Sequence, residues 1–70
     1  MKITYDKKAD AKYIYLKKGK INFTKKVKDW LLFDYSKNGE MLGIEILNAS
    51  KNFANFMNSH KKFSVSLNIK

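Results

Sequence analysis

The chain has 70 residues, no cysteine and a net charge of +9, so it has room for one small domain. The lack of cysteine excludes disulfides and thiolate metal sites. The one histidine, His60, argues against a zinc site, which needs several Cys or His ligands. No apolar run reaches the ~20 residues that span a bilayer, and the N-terminus lacks the apolar core of a signal peptide, so we expect a cytoplasmic protein with no membrane anchor.

Short alternating runs of apolar and polar residues predict an antiparallel sheet of about five strands, separated by polar or glycine-containing turns. In the second run, Ile14 and Leu16 share one face while Tyr13 and Tyr15 share the other. Because the turns are short, we expect consecutive strands to be neighbours in a β-meander. The predicted strands are residues 2–5, 12–16, 21–27, 30–35 and 41–47.

Asn38 and Gly39 separate the last two of these runs, and this pair is a strong signal for a two-residue hairpin turn. A three-residue turn with a bulge would shift the strand partners by one. We favour the two-residue turn because its register collects the large apolar side chains on one buried face. Its predicted pairs are Leu31 with Ile46, Leu32 with Glu45, Phe33 with Ile44, Asp34 with Gly43 and Tyr35 with Leu42.

A helix is predicted to follow the sheet. Asn48 can cap it, and the apolar positions after it have helical spacing: Ala49, Phe53, Phe56 and Met57. A helix of about ten residues is marginal alone, so we expect it to pack on one face of the sheet. Residues 63–69 then alternate strictly and predict a final C-terminal strand. The expected fold is therefore α+β, in a single domain covering residues 1–70.

Asp34 and Glu45 interrupt apolar strands, and the predicted register places them on one sheet face, diagonal to each other. Asp6 and Asp10 could join them if the first loop folds over that face, and four carboxylates could hold Mg²⁺ or Ca²⁺. The alternative is that these acids are ordinary surface residues paired with lysines. We favour that second interpretation and keep Asp34 and Glu45 as metal-site candidates.

Four aromatic residues lie on the predicted strands among lysines. Such rings could stack on single-stranded bases, or could form a second apolar face that is buried in a homodimer or against a protein partner. We favour the second interpretation. The candidates for this face are Tyr13, Tyr15, Trp30 and Tyr35.

The basic charge comes entirely from 15 lysines, with no arginine. Lysine offers a point charge to phosphate but lacks the planar fork that recognises guanine, so any nucleic-acid binding is expected to be non-specific. Catalytic patterns are missing: the only imidazole has no nearby acid in the sequence, and no nucleophile motif occurs. We therefore expect a non-enzymatic interaction protein that needs no cofactor.

Several short motifs together point to a known family: residues 1–6, Ala9-Asp10-Ala11, Tyr13-Ile14, Leu16, Asp34-Tyr35, Asn38-Gly39 and above all the segment 43–50. Through these motifs, residues 1 to about 51 resemble DUF2283, a group of small bacterial and archaeal proteins of unknown function. It implies a compact antiparallel sheet followed by a helix. Residues 52–70 contain the rest of the helix and the predicted last strand.

The resemblance implies no catalytic residue, and it suggests a small toxin-like ribonuclease as a possible partner. The chain departs from the family pattern at Lys12, where an aliphatic residue is usual, and at Tyr15, where arginine is usual. It is also unusually basic. That charge weakens the antitoxin interpretation, because a basic toxin would prefer an acidic partner.

Overall fold

The computed structural model describes residues 2–59 of the chain. Five strands form one antiparallel sheet and one helix follows them, which confirms the predicted α+β fold. The predicted strand at residues 63–69 and the histidine at position 60 lie outside the described residues. The elements are β1 (Lys2–Asp6), β2 (Ala11–Tyr15), β3 (Phe23–Lys28), β4 (Leu31–Tyr35), β5 (Met41–Ile46) and α1 (Ala49–Ser59).

The strand order across the sheet is β1-β2-β5-β4-β3, which differs from the order of a simple meander. β5 lies in the centre, between β2 and β4, and the segment after β2 carries the chain to the far edge. Burial explains this order: β5 is the most buried strand, whereas every residue of β3 is exposed. β3 contains Lys25, Lys26 and Lys28, and lysines are best accommodated on an edge strand.

The β4–β5 hairpin keeps the predicted register across its buried part, from Leu31–Ile46 to Asp34–Gly43. The predicted two-residue turn is wrong. Ser36 N–H donates to the Glu40 carbonyl at 2.9 Å, and Gly39 N–H donates to the Ser36 carbonyl at 3.0 Å, so three residues form the loop. Only Gly39 has a positive φ there, at 83°.

A bulge in β5 then restores the register that the longer turn would have shifted. Tyr35 pairs with Met41 rather than with Leu42, so Leu42 is the extra residue. Leu42 is nonetheless buried, and its carbonyl accepts hydrogen bonds from the Leu16 and Lys17 amides at 2.9 and 3.2 Å. The bulge therefore also fixes the start of the β2–β3 connection.

The helix packs on one face of the sheet over β2 and β5, as predicted. Its predicted apolar stripe is confirmed: Ala49 and Phe56 are buried, and Phe53 and Met57 pack against the same core. The sheet contributes the fully buried residues Ile14, Leu31, Ile44 and Ile46. With eleven residues, this helix is not long enough to cross a membrane, and no helix within residues 2–59 is.

Lys12, which departs from the family pattern, lies beside this core. Its Nζ is 3.8 Å from the centroid of the Phe53 ring, so the ammonium contacts the ring face, and Lys12 is half-buried. Lysine can therefore occupy a position that an aliphatic residue would otherwise fill.

Candidate functional site

The sheet face that the helix does not cover, here named the open face, carries Tyr13, Tyr15, Thr24, Asp34 and Glu45. A hydrogen-bond network crosses it. The Tyr13 hydroxyl donates to Asp34 Oδ2 at 2.5 Å, and the Thr24 hydroxyl donates to Asp34 Oδ1 at 2.5 Å. Three strands are thereby joined through the carboxylate of Asp34, a residue that is only 8% exposed.

Gly43 makes the Tyr13 contact possible. It lies on β5 between Tyr15 of β2 and Asp34 of β4, so the Tyr13 side chain must pass over it to reach Asp34. A Cβ atom at Gly43 would lie 2.5 Å from Cζ and 2.7 Å from Cε2 of Tyr13, and closer still to its hydroxyl oxygen. Only glycine leaves room for the ring there.

The pKa of Tyr13 is raised far above its ordinary value of 10.0, first by burial and then by the hydrogen bond and the negative charge of Asp34. At neutral pH the phenol therefore keeps its proton and acts as a donor to Asp34. A phenolate that could serve as nucleophile or general base is correspondingly disfavoured. This network is better suited to holding the face rigid than to proton transfer.

The structure places Asp34 and Glu45 on one face, as predicted, but it does not gather the proposed metal ligands. Both oxygens of Asp34 accept hydroxyl hydrogen bonds. Asp6 caps its own turn, with Oδ1 accepting from the Lys8 and Ala9 amides at 3.0 and 3.1 Å. Within residues 2–59 no three acidic or histidine side chains form a group that could hold a metal ion.

Asp10 caps the helix, a role that the sequence interpretation gave to Asn48. Its Oδ1 accepts from the Ser50 amide at 3.0 Å, its Oδ2 accepts from the Ser50 hydroxyl at 2.7 Å, and its carbonyl accepts from the Ala49 amide at 2.7 Å. Tyr5 adds a hydroxyl donor at 2.8 Å. The prediction for the Asn48 side chain is therefore wrong, because the β1–β2 turn brings a better acceptor to the helix start.

Asp10 should make the stability of the fold depend on pH in the acid range. Its pKa lies below the ordinary 3.8, first because of the Ser50 hydroxyl and then because of the Tyr5 hydroxyl. A lowered pKa in the folded state means that this stabilisation is complete above the unfolded-state pKa and is lost as the pH falls through the folded-state pKa. Asp10→Asn should thus lower the urea midpoint at neutral pH and change it little at about pH 2.

Asparagine is the appropriate substitution because Asp10 has a φ of 50°, a left-handed conformation that asparagine also tolerates. The difference in stability between wild type and Asp10→Asn therefore measures the contribution of the carboxylate and not a change in backbone strain. If wild type and variant lost stability in parallel between neutral and acid pH, the cap would not be the source of the acid dependence.

The four aromatic candidates do not form one face. Tyr13 and Tyr15 lie together on the open face, with ring centroids 4.5 Å apart in an edge-to-face arrangement. Tyr35 lies on the opposite face, stacked on Phe23 at 5.0 Å. Trp30 is partly buried and packs against the hydrophobic core. The predicted set is thus divided between the two sides of the sheet, and only its Tyr13–Tyr15 half borders the Asp34 network.

Comparison with known proteins gives a family and no activity. Residues 2–50 match the model of a protein family of unknown function, DUF2283. An uncharacterised protein of the archaeon Methanocaldococcus jannaschii is 43% identical over 53 residues, which cover 76% of this chain and 45% of the relative. The chain thus spans less than half of that relative's length. No solved structure matches the chain significantly.

The residues of the family resemblance coincide with the contacts described above. Asp10 and Ser50 form the helix cap, and Asp34 and Gly43 form the network with Tyr13. The match covers more than two thirds of the sequence and includes every strand of the sheet. The chain belongs to the DUF2283 family of proteins of unknown function.

Proposed function

We propose that the chain is a non-enzymatic interaction module that binds an extended, acidic segment of a protein partner along the outer edge of β3. One observation carries the proposal: all six residues of β3 are exposed, and among residues 2–59 this strand pairs only with β4. Its other edge therefore offers backbone donors and acceptors to an added strand.

The side chains of β3 supply apolar contact and charge. Phe23 is 49% exposed and Val27 is 40% exposed, which is high for large apolar residues in a sheet. Lys25, Lys26 and Lys28 lie on the same strand. The exposed Asp29, directly after the strand, contacts Lys26 at 3.5 Å. An acidic partner would be attracted to this strand, whereas a basic toxin would be repelled.

The same lysines argue against this edge as the interface of a homodimer. Two copies of β3 side by side would bring like charges together, and the bulge between Lys26 and Lys28 further disturbs regular pairing. Lysines and bulges on edge strands are devices that prevent self-pairing. The homodimer expected from the sequence stays a prediction, and it would need another surface.

Binding of model peptides to the full chain tests the proposal. A peptide of alternating valine and glutamate should bind and shift the amide NMR signals of β3, with affinity that falls as salt rises. A matched peptide of valine and lysine should not bind. Equal binding of both peptides, or shifts confined to other strands, would contradict the proposal.

Two double variants that replace lysines by glutamates test whether β3 itself attracts the acidic peptide. Lys25→Glu combined with Lys28→Glu should weaken the acidic peptide about tenfold. Lys7→Glu combined with Lys51→Glu makes the same change in net charge at exposed positions away from β3, and should have a much smaller effect. Equal losses in the two double variants would show that net charge, and not the β3 edge, attracts the peptide.

A further inference from the structure

A second surface, on the open face at the end of β2, combines an exposed aromatic ring with several lysines. Two cavities flank the ring of Tyr15. One of about 460 Å³ is lined on its basic side by Lys2, Lys17 and Lys18, and one of about 170 Å³ lies between Tyr13, Tyr15 and Ile21. Tyr15, Lys17 and Lys18 border both cavities. These two cavities and the ring between them are named here the Tyr15 groove.

The Tyr15 ring is an exposed but supported platform. It is 48% exposed, and the ring of Tyr13 meets it edge-on with centroids 4.5 Å apart. Tyr13 is itself held by its hydrogen bond to Asp34. The platform is therefore connected to the network that joins β2, β3 and β4, and little ordering is needed before a flat ligand stacks on it.

Positive charge surrounds this platform. The Lys2 ammonium is 5.9 Å from the centroid of the Tyr15 ring, and Lys18 has no ion pair within residues 2–59. Lys17 pairs with Glu40 at the rim. A ligand that combines a planar ring with neighbouring phosphates would contact the aromatic surface and the ammonium groups of Lys2 and Lys18 together.

We propose that the Tyr15 groove binds single-stranded nucleic acid, with one base stacked on Tyr15 and flanking phosphates at Lys2 and Lys18. A single strand is favoured over a duplex because a paired base does not expose its face for stacking. An acidic peptide would use the lysines but not the ring. Because arginine is absent from the chain, the binding is expected to be independent of sequence.

This site is separate from the edge of β3. Its defining residues, Tyr15, Lys2 and Lys18, lie on or directly after β1 and β2, at the other side of the sheet. Either proposal can therefore fail without the other.

Fluorescence anisotropy with a labelled oligothymidylate and the full chain provides the test. Tyr15→Phe should bind as wild type, because it keeps the aromatic face. Tyr15→Leu, which keeps apolar bulk but has no aromatic face, should bind at least about fivefold more weakly. Lys18→Ala should weaken binding and reduce its salt dependence, whereas Lys51→Ala on the helix should do neither.

Equal binding of Tyr15→Leu and wild type would overturn the proposal. Equal binding of a polyglutamate competitor and the oligonucleotide, or no binding of the oligonucleotide at low salt, would overturn it as well. Tighter binding of a duplex of the same length would also contradict it. Circular dichroism of each variant separates these outcomes from loss of the fold, and Tyr15→Phe guards against attributing a structural effect to stacking.

Discussion

Replacing Gly43 by valine is expected to destabilise the fold by about 3 kcal/mol or more, because the new side chain occupies the space of the Tyr13 ring. Valine favours strands, so propensity alone would predict a gain and any loss must be steric. The ring would have to leave Gly43, and its hydrogen bond to Asp34 would be lost with it. Such a loss is a large share of the stability of a small domain.

Urea denaturation followed by circular dichroism measures this loss, and a double-mutant cycle attributes it. Gly43→Ala should be destabilising in the wild-type background. In a Tyr13→Ala background the same substitution should cost much less, because the ring that it meets is gone. If Gly43→Ala cost the same in both backgrounds, the close approach of Tyr13 would not be the reason for glycine at this position.

The buried part of the hairpin register was predictable, because a shift by one residue would have exposed Leu31 and Ile46. The turn itself was not. Asn38-Gly39 has the composition of a two-residue turn, yet Ser36 and Glu40 close a three-residue loop and the Leu42 bulge compensates. Burial of side chains determines a register more strongly than turn composition does, so a bulge is tolerated to keep it.

The hydrogen-bond network on the open face could not be predicted from the sequence, because it depends on the strand order. Tyr13 and Asp34 are 21 residues apart, and they meet only because β5 lies between β2 and β4. No pattern of neighbouring residues in the sequence predicts such a long-range contact. One signal was available: a glycine in the middle of an apolar strand often marks a close approach of another group, and Gly43 is such a glycine.

Two further predictions, the face of Tyr35 and the helix cap, were wrong for different reasons. Period-two alternation along β4 places Tyr35 on the face of Leu31 and Phe33, so the sequence already predicts that it lies on a different face from Tyr13. The helix cap could not be found in this way. Asn48 is the local candidate, and Asp10 replaces it only because the β1–β2 turn folds against the helix start.

Replacing Asp34 by alanine is expected to destabilise the fold by about 2–4 kcal/mol, since two hydroxyl donors lose their shared acceptor in a largely buried place. Asp34→Asn keeps one carbonyl oxygen and should fall between alanine and wild type. Urea midpoints of the three proteins measure the series. Equal midpoints for all three would mean that Tyr13 and Thr24 find other partners at no cost.

Removing the donors as well as the acceptor should recover much of the loss. A variant that combines Asp34→Leu with Tyr13→Phe and Thr24→Val leaves no unpaired hydroxyl, and apolar replacement of a complete polar group is often nearly neutral. If this variant were no more stable than Asp34→Ala, the cost of the alanine would come from lost packing. The unpaired donors would then be a minor part of it.

The same carboxylate should control the behaviour of Tyr13 at high pH. After burial, the hydrogen bond to Asp34 is the next largest cause of its raised pKa, so Asp34→Asn should lower the pKa of Tyr13 towards 10.0. Because the raised pKa belongs to the folded state, the stabilisation is complete below about pH 10 and is lost as the pH rises further. Absorbance titration of tyrosinate in wild type and Asp34→Asn should therefore differ by one late-ionising phenol. Identical titrations would mean that the Asp34 charge contributes little to holding the Tyr13 proton, and burial alone would then account for the raised pKa.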